Sequence, residues 1–170
     1  MIYWVISDTH FGHEKMYEFC GRPRGFEMLL LNNIRKLVSC ADVLIHLGDV
    51  CIGNDLEWHN KLCSIPVTRW LVRGNHDSKS IAWYVSHGWQ FVADSFTLDM
   101  FGREILFSHM PKIDTGYGLN IHGHFHNSDH RCHEPELVAV KNERQFLVAV
   151  EYEKYQPVNL KSIVKRAEKR

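Results

Sequence analysis

Seven side chains able to bind a cation stand directly behind apolar stretches of the chain. Asp8 and His10 follow Ile2 to Ser7, Asp49 follows Val43 to Leu47, and Asn75 follows Val67 to Val72. His109 follows Glu104 to Ser108, and His124 and His126 follow Leu119 to His122. Carboxylate, amide oxygen and imidazole without thiolate suit manganese foremost, with iron, zinc or nickel admissible, and disfavour a closed cysteine-type zinc site. Seven donors exceed one tetrahedral ion but suit two ions about 3.5 to 4 Å apart. Such a pair needs a shared carboxylate, and Asp49 is assigned that place. Two dications and two carboxylates leave about two net positive charges, enough to acidify a bridging water and still attract a phosphate anion.

These groups can meet only if their segments end on one rim. The apolar runs read as strands, with further strands at Phe96 to Met100 and Phe146 to Tyr152. Between the early ones lie helical patterns. Glu27 to Ser39 carries Met28, Leu31, Ile34, Leu37 and Val38 on one stripe, and Leu56 to Ile65 and Lys79 to His87 read as shorter helices. Asn159 caps a final helix over Leu160 to Lys169, whose last turns are basic, as the helix dipole favours. Strand and helix alternate in the first half and strands dominate the second, which predicts an α/β chain with a mixed sheet assembly and helices packed outside. In open α/β architectures the ligand crevice lies beyond the carboxyl ends of the strands, and there the five loops would converge. Asp8-x-His10 and His124-x-His126 add a local argument, since residues i and i+2 of an extended segment point the same way.

Composition sets the outer limits. A chain of 170 residues with 45% hydrophobic content is the size of one domain, spanning 1–170, with core enough to need no staples. Twenty basic residues balance twenty acidic ones, so no global field holds nucleic acid or an anionic membrane; any phosphate affinity is local. The five cysteines are odd in number and form no CxxC pair, which fits a reducing compartment and a cytoplasmic protein. The apolar opening is too short for a signal segment or a membrane span.

Taken in order, Asp8-Thr9-His10, Gly48-Asp49-Val50, Gly74-Asn75-His76-Asp77, Ser108-His109 and Gly123-His124-Phe125-His126 resemble the motif series of the calcineurin-like metallophosphoesterases. The ending, with Val150-Glu151, Pro157-Val158 and the last helix, resembles the small single-domain prokaryotic and phage members, and Ser7 to Glu14 with Phe19-Cys20 and Arg22-Pro23 is similar to one subgroup. The resemblance implies a four-layer fold, a central β-sandwich of mixed sheets flanked by helices. It implies that Asp8, His10, Asp49 and His126 bind one metal and that Asp49, Asn75, His109 and His124 bind the other. It places His76 at the leaving oxygen as acid or transition-state donor and matches Arg73 to an arginine that grips phosphate.

Other residues read more modestly. Asp77 suits two roles equally, orienting His76 or capping the helix near Lys79. His13 stands in the loop after the first ligand pair as a substrate contact or a loop hydrogen bond, and Arg22 and Arg24 flank Pro23 as a specificity element at the rim. His46 and His122 read as structural, and His59 and His87 as ordinary surface or half-buried helix residues. His130, Cys132 and His133 lie in the irregular stretch Asn127 to Arg144 and read as no site. Gly116-Tyr117-Gly118 is a turn, because no helix pattern follows it.

The expected reaction is in-line hydrolysis of a phosphate monoester or diester, with a metal-bridging hydroxide as nucleophile and His76 relieving charge on the leaving oxygen. The substrate would be a small phosphate ester or nucleotide, with nucleic acid only as a substrate and no membrane partner. Two other classes compete: a catalytically idle interaction scaffold on the same fold, and a metal-binding regulatory module. Metal content and turnover separate them.

Overall fold

A computed structural model describes residues 1–112, 116–127 and 144–169. Two sheets face each other. The first contains β1 (Tyr3–Ile6), β2 (Val43–His46), β3 (Thr68–Val72), β4 (Phe91–Ala93) and β9 (Val158–Asn159), in the order β4-β3-β2-β1-β9. The second contains β5 (Ser95–Met100), β6 (Arg103–Ser108), β7 (Leu119–His122) and β8 (Gln145–Leu147), in that order. Both are mixed, because β9 runs antiparallel to β1 and β5 antiparallel to β6 while the other pairings are parallel.

Side-chain alternation builds two cores on the first sheet. Val5, Val43, Ile45 and Val72 point toward the second sheet and meet Ile105, Phe107, Leu119, Ile121 and Phe146. Ile6, Leu44 and Leu71 point the other way, into a core with Phe26, Leu30, Ile34, Leu62 and Tyr84. That core seats helices α1 (Met16–Phe19), α2 (Phe26–Leu37), α3 (Asp55–Cys63) and α4 (Ile81–Ser86). Because β2 is buried on both faces, it reads as a continuous apolar run. Helix α5 (Leu160–Ala167) adds Leu160, Ile163, Val164 and Ala167 to the inter-sheet core and packs against β1, β8 and β9, closing that edge of the sandwich.

Several local expectations are met and others shift. Asn159 caps α5 as expected, accepting the Lys161 N–H. The buried face of α2 is Phe26, Glu27, Leu30, Leu31 and Ile34, whereas Met28 is 48% exposed, because Phe26, Leu30 and Ile34 at i, i+4 and i+8 lie on one face and Met28 does not. Strand β8 ends at Leu147 rather than reaching Tyr152; Val148, Ala149 and Val150 are buried in a turn that leads to Glu151. Residues α1, β4 and β9 are elements too short to carry a readable period. The segment holding His130, Cys132 and His133 lies outside the described residues. Among the described residues no helix is long and apolar enough to cross a membrane.

Candidate metal centre

The parallel pairing of β1 with β2 continues beyond the strands. Asp8 N–H donates to Gly48 O, His10 N–H to Asp49 O and Phe11 N–H to Val50 O, each at 3.0 Å, so the two ligand loops leave the sheet side by side. Close approach then requires glycine. A Cβ on Gly74 would overlap the Asp49 carboxylate, and one on Gly123 would overlap the Ser7 hydroxyl and the Asp8 carboxylate.

Backbone conformation at the loops is unusual. Asp8, His10, Asp49, His124 and His126 all have positive φ, between 45° and 75°. For non-glycine residues this left-handed region costs roughly 1 to 2 kcal/mol each, and such strain gathers at functional sites. It also corrects the period-two argument for the two paired motifs: both pairs converge because alternate residues are left-handed, not because the segments are extended.

Six of the expected ligands form two groups. The donor atoms of Asp8, His10 and His126 lie within 4.8 Å of one another, and so do those of Asp49, His109 and His124. Asp49 Oδ2 stands between them, 3.5 Å from His10 Nε2 and 3.4 Å from His109 Nε2. Asn75, the seventh, enters the second group with Oδ1 3.0 Å from His109 Nε2.

The donor set fits cations, and hydrogen bonding shows why. His109 Nδ1 lies 2.8 Å from Leu47 O, a carbonyl that can only accept, so Nδ1 is the donor there and Nε2 is the atom free to ligate. Nε2 faces Asn75 Oδ1, His124 Nδ1 at 3.1 Å and Asp49 Oδ2, four atoms able to act together as ligands of one cation. In the first group the buried atoms Asp8 Oδ1, His10 Nδ1 and His10 Nε2 have no hydrogen-bond partner.

Protonation points the same way. Burial pushes the His10 imidazole down to about 2, leaving it neutral and able to ligate. Burial works against ionisation of Asp8, but His126, His109, His10 and the Ser7 hydroxyl outweigh it and hold the carboxyl below its ordinary range. At Asp49 burial prevails over the pull of His109, Asp8 adds its repulsion, and the carboxyl is raised. A bound cation favours the ionised form of both.

Around the groups, His76 donates its backbone N–H to Asp49 Oδ1 at 2.9 Å and holds Nε2 4.0 Å from Oδ2, with the side chain 47% exposed. His13 packs near His10, ring centroids 5.6 Å apart, and burial lowers its pKa. Arg73 is not drawn into the cluster: its Nε and Nη2 donate to Asp94 Oδ1 at 2.9 and 2.6 Å. Asp77 takes neither expected role, for its carboxylate accepts the N–H groups of Gly74, Asp49 and Val50, while Ser80 caps α4. Burial pushes Asp77 up to about 6 despite those three donors.

Arg22 corrects the expectation of a substrate contact. Its side chain is fully buried, with Nη1 on Thr9 O and Nη2 on Asp8 O, both at 2.7 Å, and Nε and Nη2 on Glu151 Oε1. Arg24 instead lies over the Tyr17 ring. His46 is structural as expected: Nδ1 accepts Gly48 N–H, Nε2 meets Thr9 Oγ1 at 2.9 Å, and burial pushes the ring down to about 3. His122 places Nδ1 3.0 Å from the Gly123 carbonyl within buried β7. His87 is a half-buried C-cap of α4, but His59 is fully buried among Trp83, Tyr84 and Trp89.

In the sequence Glu151 appears only within the resemblance and is given no role, yet its Oε1 lies 3.4 Å from His126 Nδ1. Its local pattern does not reveal the partner, because the contact joins positions far apart in the chain. Cys20, His126 and Glu151 also gather within 4.8 Å, but the Arg22 guanidinium already supplies the positive charge there.

Two mixed sheets collect nitrogen and oxygen side chains on one rim, a donor set suited to metal-dependent hydrolysis. The chain belongs to the calcineurin-like phosphoesterases, whose family model matches residues 1–160. It is similar to an uncharacterized protein of Methanocaldococcus jannaschii, 29% identical over 98% of this chain and 91% of that protein. The crystal structure of a protein of unknown function from Aquifex aeolicus is 27% identical, with a TM-score of 0.75 covering 97% of this chain and 98% of that one. The nuclease MPE of Pseudomonas putida shares the fold at 20% identity and a TM-score of 0.50, over 73% of this chain and 61% of its own.

Proposed function

We propose that the protein hydrolyses small phosphate esters, mono- or diesters, at a dinuclear centre for which manganese is the first choice. The supporting observation is Asp49 Oδ2, one carboxylate oxygen within 3.5 Å of His10 Nε2 in one group and of His109 Nε2 in the other. Asp8, His10 and His126 would complete one position, and Asn75, His109 and His124 the other. A bound pair of cations would supply a water acidified toward neutral pH and charge neutralisation for phosphoryl oxygens.

The remaining work falls to protein groups. His76, tethered through its backbone to Asp49 and half exposed, is the donor for the leaving oxygen. His13 sits beside it at the rim and offers a substrate contact. Arg73 serves as a phosphate grip only by exchanging Asp94 for substrate, a swap between two anions that its surface position allows.

The test is turnover of a panel of phosphomonoesters and phosphodiesters by metal-stripped protein resupplied with Mn²⁺, with Asp49→Asn as control. Hydrolysis that needs Mn²⁺ and collapses in Asp49→Asn supports the reading. Protein that takes up two ions yet turns over no ester is an idle scaffold, and protein that takes up none has no such centre.

A further inference from the structure

We infer that Arg22 and Glu151 act as one positioning pair that sets the Asp8, His10 and His126 cation position and leaves the other position alone. The inference rests on the dinuclear reading above. Glu151 stands 129 residues from Arg22 in the chain, and the two meet as an ion pair whose side chains are 3% and 0% exposed. A pair so deeply removed from water is costly unless its other hydrogen-bonding groups are also engaged. Here the engagement is directed at the cation ligands.

Arg22 uses the rest of its fork on backbone carbonyls. Nη2 reaches Asp8 O and Nη1 reaches Thr9 O, which fixes the loop where Asp8 and His10 are both left-handed. Glu151 uses the same oxygen that receives Arg22 to approach His126 Nδ1 at 3.4 Å, while His126 Nε2 faces Asp8 Oδ1 at 3.7 Å. The contact is an ion-pair distance and not a hydrogen bond, and a carboxylate so placed behind a ligating imidazole raises its basicity through its charge. One ion pair therefore touches the scaffolding of all three ligands of the first group. The second group has a different support: His109 is oriented by the neutral carbonyl of Leu47. The two cation positions are thus held by separate devices, and they can be loosened separately.

Metal-stripped protein titrated with MnCl₂ in a calorimeter tests this. The wild type is expected to bind two ions. Glu151→Gln keeps size and an acceptor for Arg22 but loses the charge behind His126; one ion should bind unchanged and the other about 10- to 100-fold more weakly. Arg22→Lys, which keeps charge but loses the fork, should do the same and is read alone if Glu151→Gln does not fold. His109→Ala combined with Glu151→Gln should leave no ion bound at wild-type affinity. Ile163→Val, in the inter-sheet core, is the stability control and should bind both ions normally. A wild type with fewer than two ions sinks the dinuclear reading and takes the inference with it. A two-ion wild type whose Glu151→Gln and Arg22→Lys forms bind both ions unchanged, or lose both equally, overturns the positioning pair alone.

Discussion

The carboxylate of Asp77 accepts the backbone N–H of Asp49 at 2.7 Å, so the residue expected to share two cations is held by a side chain from the next ligand loop. The same carboxylate takes the N–H groups of Val50 and Gly74, which ties the loop after β2 to the loop after β3. Asp77→Ala strands three N–H groups, two of them in bonds wholly buried, and should destabilise metal-free protein by about 3 kcal/mol or more, while Asp77→Asn, with one acceptor oxygen left, should lose less. Urea unfolding of the three proteins measures the order. Equal stability of all three would mean that the clamp is ornamental.

Cation binding should stabilise the fold strongly. Left-handed ligand residues and buried donors without partners burden the metal-free state, and ions that bind only the folded chain lift it. At one hundred times the dissociation constant each site contributes about 2.7 kcal/mol, hence about 5 kcal/mol for two. For a chain of this size that is a rise of about 10 °C or more in Tm. Scanning calorimetry in Mn²⁺ against a chelator reads it directly.

His76→Ala should retain its ions, because His76 is outside both ligand groups. It should lose most activity toward esters with alkoxide leaving groups and much less toward p-nitrophenyl esters, whose leaving group needs no proton. Equal losses on both would remove the acid role.

His59 predicts a pH dependence remote from the centre. Its Nδ1 accepts Trp89 Nε1–H, and burial pushes its pKa down to about 4 from an ordinary 6.5. Between those values the unfolded chain binds the proton and the folded chain does not, so stability rises with pH across the window and is lost as pH falls from 6.5 toward 4. His59→Gln, which keeps an acceptor for Trp89, should flatten that slope by up to about 3 kcal/mol between pH 7 and pH 4. Chemical unfolding of both proteins at several pH values decides it.

The hairpin between β5 and β6 turns through Phe101 and Gly102, both at positive φ. Asparagine tolerates this two-residue turn far better than phenylalanine, so Phe101→Asn should stabilise the protein by about 0.5 to 1 kcal/mol. A lower melting temperature would show that the contacts of the exposed ring matter more than the strain.

The meeting of the seven side chains was legible because each follows an apolar run, and a run that ends at a sheet rim delivers what comes next. Residue type and order along the chain were enough to pick out Asp8, His10, Asp49, Asn75, His109, His124 and His126, and the alternation of strand and helix was enough for the mixed sheets. Tertiary structure alone decided what Asp77, Arg22, Arg73 and Glu151 do. Each is a charged side chain whose partner lies on another loop, from 21 residues away for Arg73 and Asp94 to 129 for Arg22 and Glu151. Local spacing encodes period and turn chemistry; it carries no information about which distant carbonyl or imidazole a long side chain will meet once the loops are packed. The left-handed backbone of the ligand residues is equally invisible in sequence, since it is imposed by the neighbouring loops and not by the preference of aspartate or histidine.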